Sequence, residues 1–261
     1  MLVNGRYLIL GNWKMHGTIK ESVRLAGEVA TASATVNTSV SVGIAPAYVH
    51  LAAVENTIKN STVLLGAQTC AAETVGAFTG DISATMLADC GCKFVIVGHS
   101  ERRQLHNETS EQVCDMATAA LQENLHVVVC VGETLEQREE GNFLDVITLQ
   151  LEASLPDRYN RDCLTVAYEP VWAIGSGKTA SSEDIHQVHT HIQEFLRASS
   201  QFSDSDKKIP RVLYGGSVKA NNALDIMALP VVDGVLVGGA SLDANAFKAI
   251  IEAAEISAQK R

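Results

Sequence analysis

Eight short runs of β-branched and apolar residues recur along the chain, and stretches with helical spacing separate them. The runs are Tyr7–Leu10, Val40–Ile44, Val63–Leu65, Phe94–Val97, Val127–Val131, Leu164–Tyr168, Val212–Tyr214 and Val235–Val237. Each is too short for a buried helix. Most carry apolar residues on both faces, which is how a strand covered on both sides reads. Between them, Ser110–Leu125 places Val113, Ala117, Ala120 and Leu121 on one helical face, and Ser181–Phe195 does the same with Ile185, Val188, Ile192 and Phe195. Ser181, followed by Glu183 and Asp184, supplies a hydroxyl cap and first-turn acids. Strands alternating with helices predict an α/β fold with a parallel sheet. Even spacing over 261 residues favours closure into a single (β/α)8 barrel over an open doubly wound sheet. No linker interrupts the pattern, so residues 1–261 read as one domain, with the polar stretch Ser199–Lys208 as a surface loop.

Composition narrows the function classes. Hydrophobic residues make up 46% of the chain, enough for a large core, and the net charge is −10. That charge argues against general affinity for nucleic acid, which needs many cations along the phosphate backbone. It leaves room for a small anion, because one lysine and a few backbone N–H groups bind a phosphate locally. No apolar run approaches the ~20 residues of a membrane helix. Leu8–Leu10 is too short for a secretory signal, so a cytoplasmic location is expected. The six cysteines (Cys70, Cys90, Cys92, Cys114, Cys130 and Cys163) lack paired C-x-x-C spacing and read as reduced and mostly buried. Cys90-x-Cys92 is too tight and isolated for zinc, and no metal or cofactor is expected.

Polar residues cluster just after the strand runs: Asn12, Lys14, Gln68, His99, Glu101, Glu133, Glu169, Ser217 and the pair Gly238-Gly239. In a parallel barrel these positions share the C-terminal rim, where such enzymes carry their chemistry. Glu169 ends a strand beside apolar surface, and desolvation there would raise its basicity toward the working pH. Read alone, it is equally an acid paired with a nearby cation. His99 precedes Ser100, which can cap a helix whose positive end disfavours an imidazolium; a neutral imidazole still donates to a carbonyl or enediol oxygen. Asn12 and Lys14 alternate along the first strand end, so both can face one way, and an ammonium there suits a phosphate or a developing enediolate. Glu101 is placed to orient Lys14 or Ser100. Arg102 and Arg103 read as structural partners, as do the other seven histidines.

Gly175, Ser217, Gly238 and Gly239 read as a phosphate cradle, since glycines let backbone N–H groups approach an anion and barrels often bind phosphate after strands seven and eight. Tight left-handed turns with no ligand are the plain alternative. Pro170–Lys178 is a long segment with a small-residue centre between stiffer flanks, as in a lid on two hinges or in a static surface loop. Gly177-Lys178-Thr179 lacks the earlier glycine of a nucleotide P-loop, Trp172 standing in its place. Gly175-x-Gly177-x-x-Ala180 does not follow a strand directly, as a dinucleotide fingerprint must.

Five motifs, in order, resemble the triosephosphate isomerase family: Gly11-Asn-Trp-Lys-Met15, Gly98-His-Ser-Glu-Arg-Arg103, Ala167-Tyr-Glu-Pro-Val-Trp-Ala-Ile-Gly-Ser-Gly-Lys-Thr-Ala180, Tyr214-Gly-Gly-Ser-Val218 and Val237-Gly-Gly-Ala-Ser-Leu242. They span nearly the whole chain. The resemblance implies a cofactor-free isomerase of glycolysis and gluconeogenesis acting on dihydroxyacetone phosphate and glyceraldehyde 3-phosphate. It implies Glu169 as the base, His99 as a neutral electrophile, Lys14 and Asn12 as stabilisers of negative charge, and Gly175, Ser217, Gly238 and Gly239 around the phosphate. It also implies a homodimer in which Gly76–Gly80 enters the partner and Thr79 supports the other subunit's site. Ser176 stands where many members have threonine, which keeps the hydroxyl at the lid tip. The rival expectations are another phosphosugar barrel such as an epimerase, which lacks the Asn-x-Lys, His and lid-flanked Glu set, and a non-catalytic sugar-phosphate binder.

Overall fold

Residues 5–157, 160–174, 178–199 and 209–260 are described in the computed structural model. The apolar runs form β1 (Tyr7–Asn12), β2 (Val40–Ala45), β3 (Leu64–Ala67), β4 (Phe94–Val97), β5 (His126–Val131), β6 (Leu164–Tyr168), β7 (Arg211–Tyr214) and β8 (Gly234–Val237). Each pairs in parallel with the next, and β8 pairs back onto β1, with Leu8 opposite Gly234 and Gly11 opposite Val237. Outside lie α1 (Ile19–Ser33), α2 (Leu51–Ile58), α3 (Ala84–Asp89), α4 (Ser100–Leu105), α5 (Ser110–Gln122), α6 (Leu135–Glu139), α7 (Phe143–Ser154), α8 (Ser182–Ala198), α9 (Ala223–Ala228) and α10 (Ala244–Gln259). The expected helix starts hold: Thr109 and Ser181 cap α5 and α8, each in a reciprocal pair with the residue three positions on. The polar stretch at 200–208 lies outside the described residues.

Strand alternation divides the core in two. Leu8, Leu10, Ala45, Phe94, Ile96, Val128, Cys130, Ala167, Leu213 and Leu236 fill the barrel interior. The intervening residues, among them Tyr7, Ile9, Val95, Val97, Val127, Val129, Val166, Val212 and Val235, pack outward under the helices. This two-sided burial is why the runs read as continuously apolar and not as alternating.

The third strand begins one residue later and ends two later than its apolar run, because it includes Gly66 and Ala67. Phe94, projecting inward from β4, explains the glycine. A Cβ at Gly66 would lie 2.2 Å from the Phe94 ring, and one at Gly43 on β2 would lie 2.7 Å from it. One ring fills the space that two missing side chains leave. Gly66→Ala therefore overpacks the barrel, and chemical denaturation should show a loss of about 1–3 kcal/mol with no change in the slope m. Wild-type stability in this variant would mean that Phe94 moves aside freely.

Candidate active site

Strand parity aims the first groups. Asn12 continues the inward row of Leu8 and Leu10, and Glu169, one residue beyond β6, continues the row of Ala167. Both are buried, Glu169 to 1% exposure. Lys14 corrects a sequence expectation. It lies beyond the end of β1 with φ of 52°, so strand alternation does not aim it. Its backbone N–H instead donates to Asn12 Oδ1 at 3.0 Å, and Gln68 Nε2 donates to the carbonyls of Lys14 and Ala45 at 2.7 and 2.9 Å. The Asn12 side chain thus turns the chain and sets the lysine. Lys14 Nζ lies 2.5 Å from Glu101 Oε1.

The turn after β4 carries a second correction. His99, not Ser100, caps α4: its Nδ1 accepts the Glu101 N–H at 3.2 Å, and Ser100 is the first helical residue. An accepting Nδ1 leaves the proton on Nε2, which lies 2.9 Å from Glu169 Oε1. The Ser100 N–H donates to Glu169 Oε2 at 2.8 Å. Burial acts to raise the Glu169 pKa. The His99 ring, the Ser100 N–H and the Lys14 ammonium outweigh it and hold the carboxyl below its ordinary value. The expectation of a carboxylate made more basic by burial is therefore reversed in this arrangement, because its partners come from the far-off ends of β1 and β4. Burial likewise opposes charge on His99, and its contact with Glu169 leaves the ring above its ordinary value.

A cavity of about 680 Å³ gathers Asn12, Lys14, His99, Glu101 and Glu169 with Ser217, Gly238 and Gly239. Gly175 and Ser176 lie outside the described residues. The cradle's Gly238 and Gly239, and Gly215 and Gly216 beside its Ser217, all lack positive φ, so left-handed turns do not explain them. Space does. A Cβ at Gly216 would lie 2.2 Å from the Tyr214 hydroxyl, and one at Gly215 would lie 3.0 Å from Glu169 Cγ. At Gly238 it would sit 3.4 Å from Lys14 Cε, and at Gly239 it would project into open space. A side chain at the last two would fill the region beside the ammonium. A wider surface groove of about 870 Å³ between α1 and α10 contains none of these residues.

In the sequence, Glu133 is marked only by its position just after a strand run. It is fully buried, and its Oε1 accepts from Tyr168 Oη (3.0 Å), Trp172 Nε1 (2.8 Å) and Arg138 Nη1 (3.1 Å). Arg138 also pairs with Asp184, the capping partner of Ser181 at the start of α8. One carboxylate therefore anchors the first part of the segment after Glu169. His16, not singled out in the sequence, also lines the cavity. The remaining histidines include His50, His126, His189 and His191, tied to Ser22, Thr165, the Val231 carbonyl and Thr148. Arg102 pairs with Glu108, and Arg103 donates to the carbonyls of Gly98 and Cys130. All six cysteines are free thiols, and burial holds Cys130 well above the ordinary thiol pKa.

A family model described as triosephosphate isomerase matches residues 7–254. The chain belongs to the triosephosphate isomerase family. Triosephosphate isomerase of Pelodictyon phaeoclathratiforme is 46% identical over 251 residues, covering 96% of this chain and 99% of that protein. The enzyme of Ruegeria pomeroyi is 47% identical over 253 residues, covering 97% and 99%. The crystal structure of triosephosphate isomerase from Bartonella henselae superimposes with a TM-score of 0.87 at 38% identity, covering 95% of this chain and 98% of that one. Family membership displaces the rival expectations of an epimerase or a non-catalytic binder.

Proposed function

We propose that Glu169 carries a proton between C1 and C2 as this isomerase interconverts dihydroxyacetone phosphate and glyceraldehyde 3-phosphate through an enediolate. The observation that carries the reading is a buried carboxylate within 2.9 Å of His99 Nε2, in one cavity with an ammonium and three small-residue backbone positions. Glu169 takes the proton from one carbon. His99 Nε2–H donates to the oxygens, and Lys14 and Asn12 stabilise the charge that develops on them. Backbone N–H groups at Ser217, Gly238 and Gly239 hold the phosphate, together with Gly175. The segment Pro170–Lys178 closes over the intermediate to keep water out.

Reaching a substrate carbon requires Glu169 to leave His99 and the Ser100 N–H. Those contacts hold its pKa down, so leaving them keeps the effect of burial and restores basicity where the proton is taken. The sign gives a pH prediction. A required carboxylate loses activity as pH falls through its pKa. The acid limb of kcat/KM, which reports the free enzyme, should lie below the ordinary carboxylate range once the substrate phosphate (pKa about 6) is allowed for. The limb of kcat, which reports the complex, should lie higher. Coincident limbs would contradict the exchange of partners. The direct test of the reading is turnover of glyceraldehyde 3-phosphate by purified protein in excess chelator. Full activity is expected, because the reaction moves a proton and needs no net oxidant; a folded but inactive protein would overturn the assignment.

We also read the chain as one domain, in the cytoplasm, acting as a homodimer. Among the described residues no helix is long and apolar enough to cross a membrane. Met15 (93% exposed), Val49 (78%), Val75 (85%) and Met86 (55%) sit on the loops after β1 to β3 and on α3, one sector of the rim. Such exposure is costly in a lone chain and suits a second copy. Residues 73–80 are exposed, which supports the reading in which this loop enters the partner and Thr79 supports its Asn12 and Lys14. Thr79→Arg should lower activity at least tenfold together with dimer content on a sizing column. A fully active monomer would refute the cross-subunit role.

A further inference from the structure

We infer that Gln150, on the outer helix α7, is a positioning residue for the catalytic carboxylate, acting through the backbone of Gly132. This rests on the reading of Glu169 as the base. Gln150 Oε1 accepts the Gly132 N–H at 2.8 Å, and its Nε2 donates to the Gly132 carbonyl at 2.9 Å. One amide side chain thus satisfies both polar groups of a single residue just past the end of β5, where the ladder no longer does so.

Gly132 in turn seats Glu169. A Cβ on Gly132 would lie 1.8 Å from the Glu169 carbonyl oxygen and 2.7 Å from its carbonyl carbon. The base's peptide therefore rests in the space that only a glycine leaves. On either side of this contact, the Glu169 N–H donates to the Val131 carbonyl (2.8 Å) and the Val171 N–H to the Glu133 carbonyl (3.1 Å). The main chain of residues 131–133 is the bed on which Glu169 and the start of the lid segment lie. Gln150 fixes the central peptide of that bed.

The clamp borders a small cavity. A space of about 120 Å³ behind Glu169 is lined by Gln150, Gly132, Thr134 and Val171, with Arg103 and Glu169 as its charged groups. Arg103 also reaches Ser154, a second α7 residue, at 3.0 Å. The helix is thus keyed to the rim at two points. Without the clamp, the Gly132 peptide can tilt into the adjacent space, and the point from which the Glu169 side chain swings moves with it. Displacements of about 1 Å at a reacting group cost up to about a hundredfold in rate. Ser217, Gly238 and Gly239 do not line this cavity, so the grip on phosphate should be untouched.

The test uses the full-length enzyme with glyceraldehyde 3-phosphate. Gln150→Leu removes both hydrogen bonds and should lower kcat about tenfold or more while KM stays within about twofold. Gln150→Glu adds a carboxyl that, when ionised, accepts the Gly132 N–H but cannot donate to its carbonyl. When protonated it restores both bonds. An ionised oxygen facing the Gly132 carbonyl in this part-buried site raises the pKa of that carboxyl, so kcat relative to wild type at the same pH should recover as pH falls from about 7 to about 5. A merely structural glutamine would lower thermal stability and leave kcat per folded molecule and its relative pH profile at wild-type values; that result overturns the proposal, as does a rise in KM at unchanged kcat. The two readings fail separately. If Glu169→Gln retains turnover, the base assignment falls; if it abolishes turnover while Gln150→Leu keeps wild-type kcat, only the clamp falls.

Discussion

Glu169→Gln should lower kcat by about a thousandfold or more, because general-base catalysis by one positioned group contributes about 10²–10⁴-fold and no other carboxylate among the described residues is placed to replace it. Glu101, the other carboxylate lining the cavity, is paired with Lys14 at 2.5 Å. Volume is conserved at a site only 1% exposed, so the barrel should remain folded. The amide oxygen can still accept the Ser100 N–H, but the amide NH2 then faces the His99 Nε2–H, so one bond is lost and the other is no longer charge-assisted, at a cost of about 2–4 kcal/mol in stability. Binding of glycerol 3-phosphate, which carries the phosphate but cannot isomerise, should be nearly unchanged. A variant with near-normal kcat would remove Glu169 from the chemistry. One that loses affinity for the analogue in step with rate would make it a binding residue.

Lys14→Met should lower kcat/KM by about 10²–10³-fold, the scale of losing one preorganised charge in a water-excluded site. Methionine keeps the unbranched stem that the left-handed backbone at this position accommodates. The stem also packs beside Gly238, so a shorter replacement would open space as well as remove charge. Glu101 loses its partner, but its side chain is 44% exposed and solvent can take over, so little stability should be lost. If the ammonium acts on the developing enediolate, the deficit appears in kcat as well as in KM. A change confined to KM would reduce Lys14 to a ground-state contact with the phosphate.

Much of the barrel is legible in the chain because strands buried on both faces leave apolar runs too short for helices and too regular for loops. Gly66 hides the true extent of β3, since a glycine reads as a break when its reason is a phenylalanine on the next strand. The rim residues are legible for a related reason: a polar side chain immediately after a doubly buried strand must emerge at the barrel mouth. Orientation and charge are not legible in this way. Strand alternation would aim Lys14, whereas its backbone turns on a hydrogen bond to the Asn12 side chain. Serine is the usual cap, and at α4 an imidazole takes that place. Burial alone makes Glu169 more basic, although three partners from the ends of β1 and β4 decide the sign. Gln150 carries no signal, because a single glutamine on an amphipathic helix matches no pattern.

The ring of Phe94 across Gly43 and Gly66 bears on how this sequence can change over time. The three positions lie on three different strands yet share one volume. A methyl group at position 66 is harmful while the phenylalanine remains, and becomes acceptable once a smaller residue has replaced it; the reverse order passes through a cavity instead of a clash. Neighbours coupled in this way depart from additivity. The barrel floor therefore carries a historical ratchet, in which the residue fixed first dictates which later substitutions selection can accept.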